Sequence, residues 1–371
     1  MGPSPVSSGP MKIAIIFGTR PEIIKLSPVI RELQRKKVDF FIIHSNQHYS
    51  PKMDEIFLKE LKLPGAKYNL NVGSGLHGEM TAKILSGTEK VLLQEKPNIV
   101  IVQGDTNTVL AGALAASKLE IEVAHIEAGL RSYDRTMPEE TNRILADHMS
   151  SFLFAPTRTQ SDILLGEGID PKKIFVVGNT IVDAVMENLK IAETKSKYFH
   201  YQKEKYFLLT MHRPSNVDSK DRLLALLNSL TAVSKTFGYP IYYPIHPRTK
   251  KQLELFKLNL NPKYIKVTEP VGYLEMLIME KYSQVIFTDS GGLQEEACIL
   301  QVPCITLRDN TERPETITVG ANLLATPQNL LSQTKIMLSK PKNWPNPFGD
   351  GTASQQIFSV LTPHEPYSES T

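Results

Sequence analysis

Two successive α/β layers, each built on a parallel sheet, are what this sequence predicts, and three observations predict them. From Met11 onward, short apolar runs rich in β-branched residues alternate with stretches of helical spacing. The runs are nearly continuous in apolar residues, which suits parallel strands buried on both faces. The alternation occurs in two series, in a chain whose 371 residues exceed what one hydrophobic core usually holds.

The opening stretch, Met1–Pro10, has neither the charged start nor the apolar centre of a signal peptide, and reads as an appended tag or disordered tail. Residues 11–185 form the first half. Lys12–Phe17 is its first strand and Ile23–Gln34 the helix that follows. Further strands fall at Phe40–His44, Ile99–Gln103, Glu122–Ile126, Phe152–Ala155 and Ile174–Val177. Asn107–Leu119 and Glu140–Met149 have the spacing of crossover helices, which return the chain to the start of the next parallel strand. Ile181–Lys205, helical at first and then charged and aromatic, holds the junction. Residues 186–350 repeat the pattern, with strands at Tyr206–Thr210, Ile241–Pro244, Ile265–Val267, Val285–Thr288 and Cys304–Leu307. Trp344–Gly351, rich in Pro, Asn and Gly, leads into a last helix, Thr352–Leu361, within residues 351–371. Two such halves are expected to bind a ligand in a cleft between the carboxyl ends of their sheets.

Composition narrows the function. The charge is nearly balanced, 42 basic against 39 acidic residues, without the dense basic stripe of a duplex nucleic-acid binder. No run approaches the roughly 18 apolar residues of a membrane span. The two cysteines, Cys298 and Cys304, cannot build a disulfide framework and read as core thiols, so a reducing cytoplasm is the expected compartment.

Gly73–Gly78 matches the dinucleotide pattern G-x-G-x-x-G, but that fingerprint should follow the first strand of a βαβ unit. The run before it, Tyr68–Val72, is polar and short, so the glycines read as a loop ahead of a helix at Glu79–Gln94, and nicotinamide chemistry gains little support. Gly18-Thr-Arg20-Pro-Glu22 follows the first strand; Pro21 suits a first helical position, and Arg20 and Lys25 then suit either a phosphate-bearing ligand or solvated surface. Asp289-Ser290-Gly291-Gly292 ends a strand and opens a helix, where backbone N–H groups and the helix dipole attract an anion. Glu296, further along that helix, can accept hydrogen bonds from two ribose hydroxyls. The combination favours a nucleotide over a plain glycine turn before an acidic helix.

Asp105 and Glu127 each follow a strand, at Gly104-Asp105-Thr106 and His125-Ile-Glu127, and would face one crevice. Asp105 can also be read as the cap of the helix at Asn107, and Glu139, in Pro138-Glu-Glu-Thr-Asn-Arg143, as a first-turn residue that complements the dipole. Glu127 has no such structural explanation. Several carboxylates beside a phosphate site, without metal-ligand spacing among His and Cys, point to proton transfer rather than metal catalysis. His212 and His246 follow the first two strands of the second half, and His246 by itself reads as a structural residue.

Taken in order, Phe17–Glu22, Gly104–Thr106, Glu127–Arg131, Pro138–Arg143, Gly178–Thr180, Asp289–Gly292 with Gln294–Glu296, and Arg308–Glu315 resemble the non-hydrolysing UDP-N-acetylglucosamine 2-epimerases, archaeal members above all. The likeness runs from Met11 to Leu361. It implies the glycosyltransferase-B architecture: two Rossmann-like domains, a ligand cleft between them, and a last helix returning to the first. It implies reversible C2 epimerisation of UDP-N-acetylglucosamine to UDP-N-acetylmannosamine, for surface polysaccharide or glycan synthesis. The route would be anti elimination of UDP to 2-acetamidoglucal and re-addition, in a homodimer that needs neither NAD nor a metal. Matched residue by residue, Asp105, Glu127, Glu139 and His212 take catalytic roles, and Arg20, Lys25, Ser290, Gly291, Gly292, Glu296 and Arg313 touch the nucleotide sugar. Val271 and Met276 fall where the family holds the uracil.

Two positions depart from the pattern: Ser215 stands where Glu is usual after the His212-Arg213 pair, and His246-Pro-Arg248 replaces the His-x-Asn-Pro segment of the bacterial activator site. A hydrolysing epimerase that releases N-acetylmannosamine, or an epimerase of a related UDP-acetamido sugar, is the alternative.

Overall fold

The computed structural model describes residues 11–46 and 51–362; the expected tail at residues 1–10 and the segment after residue 362 lie outside the described residues. Two compact units divide the chain. One ends at Ala184 and resumes at Gly349; the other is Val185–Phe348.

The first unit alternates β1 (Lys12–Phe17), α1 (Arg20–Arg35), β2 (Asp39–His44), α2 (Pro51–Glu60), β3 (Tyr68–Asn69), α3 (His77–Glu95), β4 (Ile99–Gln103), α4 (Asn107–Lys118), β5 (Glu122–Ile126), α5 (Pro138–Met149), β6 (Phe152–Ala155), α6 (Arg158–Gly166) and β7 (Ile174–Val176). Its seven strands are all parallel, in the order β3-β2-β1-β4-β5-β6-β7. This is a Rossmann-like sheet: the chain winds outward one way from β1 through β2 and the other way from β4, so β1 and β4 flank the switch point where ligands bind. Every residue of β4 is buried, as expected of a central strand covered on both faces. The helix α4 is rich in alanine and glycine, and a Cβ added to Gly112 would press to 3.2 Å from Ile16 and 3.3 Å from Val102. Small residues let that helix lie close over the sheet centre.

The helix α1 starts at Arg20 rather than Ile23, because Pro21 pre-sets the first turn and Glu22 reaches back to the Thr19 N–H, the reciprocal half of a capping box. Pro28 lies inside this helix and has no N–H for the Ile24 carbonyl; the Ser27 hydroxyl donates to that carbonyl instead, at 2.8 Å.

The helix α7 (Thr180–Glu193) crosses the unit boundary. The second unit then runs β8 (Phe207–Thr210), α8 (Pro214–Val217), α9 (Lys220–Phe237), β9 (Ile241–Pro244), α10 (Pro247–Phe256), β10 (Ile265–Thr268), α11 (Tyr273–Tyr282), β11 (Ile286–Thr288), α12 (Gly291–Ile299), β12 (Cys304–Thr306), α13 (Pro314–Thr318), β13 (Asn322–Leu324) and α14 (Leu330–Ser339). Its six parallel strands follow the order β10-β9-β8-β11-β12-β13, with the switch point between β8 and β11. Phe207, Leu209, Tyr243, Phe287 and Ile305 form the centre of its core, under Leu226, Leu230 and Val233 of α9.

The last helix, α15 (Ala353–Leu361), belongs to the first unit and packs on α1. Ser354 donates to Asp183 of α7 through both N–H (2.9 Å) and hydroxyl (2.7 Å). Two edge strands have no counterpart in the sequence expectation. β3 is two residues long and β13 three, too short for any hydrophobic period, and only their neighbours β2 and β12 make them strands. The Gly73–Gly78 loop therefore follows an edge strand, not the central strand that dinucleotide binding requires.

Candidate active site

In the first unit, the loops after β1, β4 and β5 bring Arg20, Asp105 and Glu127 to the carboxyl ends of neighbouring strands. Glu127 is the most constrained. Its backbone is left-handed, with φ +70°, a conformation that costs a non-glycine residue about 1–2 kcal/mol. Two bonds to one carbonyl hold it there: the N–H groups of Glu127 and Ala128 both donate to Phe154 O at 3.1 Å. The side chain is buried, yet its carboxylate is fully engaged. Lys25 Nζ lies 2.6 Å from Oε1, Asn179 donates to Oε1 at 3.3 Å, and Gln103 donates to Oε2.

Asp105 does not cap α4. That position belongs to Thr106, whose hydroxyl accepts from the Val109 N–H at 3.4 Å. One residue earlier, the Asp105 side chain turns away from the helix and forms an ion pair with Arg143 of α5, keeping 33% exposure. Its carbonyl accepts from Asn142 at 2.9 Å. Asn142 and Arg143, motif residues without an expected role of their own, both fix Asp105. Glu139 stands half-buried in the first turn of α5. Its neighbour Glu140 is the one committed to the loop, accepting from Ser132 N–H, Ser132 hydroxyl and Tyr133 N–H, each at 2.9 Å. Burial raises the Glu140 carboxyl, but those donors and Arg143 outweigh it, so it lies below its ordinary value.

Behind these loops runs a buried network that sequence reasoning missed. His125 Nε2 contacts Gly104 O at 2.8 Å and Nδ1 contacts Asp147 at 2.7 Å. With acceptors at both nitrogens, the ring must donate from both and is an imidazolium. Burial opposes that charge, but Asp147 and the Gly104 carbonyl overcome it and raise the pKa. Asp147 also takes Arg131 at 2.7 Å, and Arg131 grips Glu167 through two nitrogens at 2.8 and 2.6 Å. No local spacing announces this set, because His125, Asp147 and Glu167 come from three elements.

In the second unit, His212 follows β8 and Ser290 follows β11, neighbours at the switch point. The buried Asp289 joins them. It accepts from the backbone N–H of His212 (3.0 Å) and Arg213 (2.9 Å) and from Asn216 Nδ2 (3.2 Å), and its Oδ1 lies 3.3 Å from His212 Nδ1. The His212 ring stays 38% exposed and stacks near His246, with centroids 5.1 Å apart. His246 itself caps α10, accepting from the Arg248 N–H at 3.1 Å. Its pKa is lowered by burial and then by the charge of His212. Arg248 pairs with Asp218 on the surface, and Ser215 is exposed on α8.

Ser290 is the N-cap of α12, and the space around Gly291 and Gly292 is open: an added Cβ would meet nothing closer than 3.8 Å. The backbone N–H groups of this turn can therefore be approached closely by an anion. Glu296, in the second turn of α12, is buried beside Glu280 of α11. Burial and then the Glu296 carboxylate push Glu280 well above its ordinary range. Arg313 is held by Glu295, with Nε 2.6 Å from Oε1. Val271 and Met276 are half-buried, one just before α11 and one in its first turn, and α11 packs on the helix that carries Glu296.

Cys298 and Cys304 are buried free thiols; burial lifts Cys298 to about 12 and Cys304 further. Among the described residues no group of three or more His, Cys, Asp and Glu is arranged to hold a metal ion, and no helix is long and apolar enough to cross a membrane.

The profile of a family described as UDP-N-acetylglucosamine 2-epimerase matches residues 31–362. The UDP-N-acetylglucosamine 2-epimerase of Methanocaldococcus jannaschii is 59% identical over 363 residues, covering 95% of this chain and 99% of the relative. The UDP-2,3-diacetamido-2,3-dideoxy-D-glucuronate 2-epimerase of Pseudomonas aeruginosa is 40% identical, covering 95% and 99%. The crystal structure of the M. jannaschii enzyme in complex with UDP-GlcNAc and UDP superposes with a TM-score of 0.83 at 59% identity, over 95% of this chain and 99% of that one. The expected class of two Rossmann-like domains holds.

Proposed function

The chain belongs to the UDP-N-acetylglucosamine 2-epimerase family and is an isomerase. On that premise we propose that it interconverts UDP-N-acetylglucosamine and UDP-N-acetylmannosamine without releasing free sugar. The observation that carries the reading is Glu127: a buried carboxylate in a strained backbone, held against Lys25 at the end of β5, one strand from the switch point of the sheet.

The proposed reaction starts with removal of the C2 proton by a carboxylate. The C–H electron pair becomes the C1–C2 double bond of 2-acetamidoglucal, and UDP departs anti to the proton with the electrons of the C1–O bond. Return of a proton to the other face of C2, with addition of UDP to C1, gives the epimer. A C2 proton is weakly acidic, so a positioned base contributes about 10²–10⁴-fold. Asp105, Glu127 and Glu139 are assigned that proton traffic, and His212 a hydrogen bond to the leaving group. Arg20, Lys25, Arg313 and the turn Ser290–Gly292 would neutralise the diphosphate. Glu296 would hold the ribose, and Val271 and Met276 the uracil. In this reading residues 11–185 carry the sugar chemistry and residues 186–350 the nucleotide, and the last helix within residues 351–371 returns to the first domain.

The steps return every electron to the substrate, so no nicotinamide is required, and the cationic side chains assigned to the diphosphate would neutralise the charge a metal otherwise would. Activity that survives exhaustive dialysis against a chelator would agree. We assign a homodimer in the cytoplasm, to be checked by sedimentation and fractionation. The decisive test is incubation with UDP-N-acetylglucosamine in deuterated water, with NMR of the products. Deuterium is expected at C2 of both recovered substrate and epimer; epimer without label would exclude elimination. The relationship to the P. aeruginosa enzyme favours a second reading, a related UDP-acetamido sugar as substrate. Direct competition between the two sugar nucleotides distinguishes it.

A further inference from the structure

Glu22 lies in the first turn of α1, almost wholly buried, and serves none of the roles above. A capping box asks it to bind one N–H, that of Thr19. It binds four groups. Oε2 accepts from Gly18 N–H at 3.0 Å, Thr19 N–H at 2.7 Å and Thr19 hydroxyl at 2.7 Å, and Oε1 accepts from the Thr106 hydroxyl at 2.8 Å. Three donors come from the loop after β1, which ends in Arg20. The fourth comes from the loop after β4, directly following Asp105. Since β1 and β4 are paired, one carboxylate bridges the two loops that flank the switch point.

The surroundings leave those loops few other ways to sit. A Cβ on Gly18 would fall 2.3 Å from both Ser45 Oγ and Thr108 Oγ1, which are themselves hydrogen-bonded at 2.8 Å. The peptide segment around Asp105 is held at three successive residues: Gly104 O by His125, Asp105 O by Asn142, and Thr106 by Glu22. Of these anchors, only Glu22 also fixes the Arg20 loop.

We propose that Glu22 is a positioning residue that latches the Arg20 loop to the Asp105 loop, so that a diphosphate-binding cation and a proton-transfer carboxylate keep one register. The functional part of this inference rests on the reading above for Arg20 and Asp105. Burial raises the Glu22 carboxyl to about 7, against the pull of its four donors. That value invites an acid–base role, but the geometry argues otherwise. Protonation at Oε1 merely reverses the hydrogen bond to Thr106, and the three donors at Oε2 are untouched. Glu22→Gln, which reproduces the protonated acid in shape and donors, is therefore the conservative replacement.

The experiment compares Glu22→Ala, Glu22→Gln, Thr106→Val and the double variant Glu22→Ala/Thr106→Val in the full chain, by steady-state turnover of UDP-N-acetylglucosamine. Glu22→Ala should lower kcat by roughly 10–100-fold, the scale of a misplacement of about 1 Å. Glu22→Gln should restore most of it, and, read in kcat where every variant is fully folded so that the lost α4 cap of Thr106→Val does not enter, the double variant should be little worse than Glu22→Ala, because both changes break the same link. Glutamine as damaging as alanine would make Glu22 an acid–base group, and additive effects would separate the two loops; either overturns the latch. Hydrogen exchange at the Gly18 and Thr19 amides tests the latch without activity. Protection should persist in Glu22→Gln and vanish in Glu22→Ala, and unchanged protection in the alanine variant overturns it. A wild-type chain with no turnover but with this exchange pattern would sink the proposed function and leave the latch standing.

Discussion

Glu127 and Asp289 each follow a strand of a parallel sheet and each is buried at its carboxyl end, Asp289 after β11, which flanks its switch point, and Glu127 after β5, one strand further out. They are held by different kinds of donor. Glu127 is surrounded by side chains, the ammonium of Lys25 and the amides of Gln103 and Asn179. Asp289 is surrounded chiefly by backbone, the N–H groups of His212 and Arg213, with Asn216 added. Side chains rotate and exchange partners at little cost, whereas a backbone N–H moves only if its loop moves. The first arrangement suits a carboxylate that must change partners or protonation during a reaction. The second suits a carboxylate that builds the site, here by fixing the turn that presents His212.

The comparison breaks most readily at Asp289. Replacing it with alanine leaves several buried donors without an acceptor, and removal of one partner from such a set costs about 3–5 kcal/mol. Denaturant titration should show this loss; a variant that stays fully stable while losing turnover would make Asp289 a reactive group like Glu127. Glu127→Gln should do the reverse. The amide keeps the shape but cannot take a proton, so turnover should drop at least about a hundredfold while UDP still binds; Lys25 loses its charge partner, so some stability is lost too, less than in the truncated Asp289→Ala. Asp105→Asn should behave alike, and turnover that survived would leave Asp105 only its contact with Arg143.

Glu296→Ala sharpens the contrast from the nucleotide side. Loss of hydrogen bonds to a charged acceptor should weaken UDP binding by about 1.5–3 kcal/mol, measurable by calorimetry, and unchanged affinity would remove Glu296 from the ribose site. The smallest effect concerns its neighbour. Glu280 titrates well above its ordinary 4.5 in the fold, through burial and then the Glu296 carboxylate, and Tyr206 and Cys304 also couple to it. An acid raised in the fold lends stability that is complete below its unfolded pKa and drains away as pH climbs toward the folded one. Wild-type melting temperature should therefore fall as pH rises above the ordinary carboxylate range, and Glu280→Gln should flatten part of that slope. An identical slope in the variant would show that Glu280 ionises no differently in the fold.

Much of this could be read along the chain. Ile99–Gln103 announces a central parallel strand because four successive β-branched apolar residues, Ile99 to Val102, need cover on both faces. The Ser290–Gly292 turn announces an anion site because its chemistry is local: strand end, glycines and helix start are consecutive. Asp105 shows where such reading fails. Its position before α4 fits a cap as well as a reactive group, and only the fold, which brings Arg143 alongside and gives the cap to Thr106, separates the two.

Local features of this protein were thus determined by sequence alone: the alternation of strand and helix, the two halves, the glycine turns and the family-specific motifs, all written in residues a few places apart. Tertiary structure decided the partnerships. Glu127 meets Lys25 across 102 positions and Asn179 across 52, and Glu22 meets Thr106 across 84. Such pairs depend on the order in which strands assemble, β1 beside β4 and β4 beside β5, and that order is a property of the packed sheet rather than of any segment. The left-handed backbone of Glu127 has the same origin, because two bonds to the neighbouring strand offset a strain that no local preference would choose.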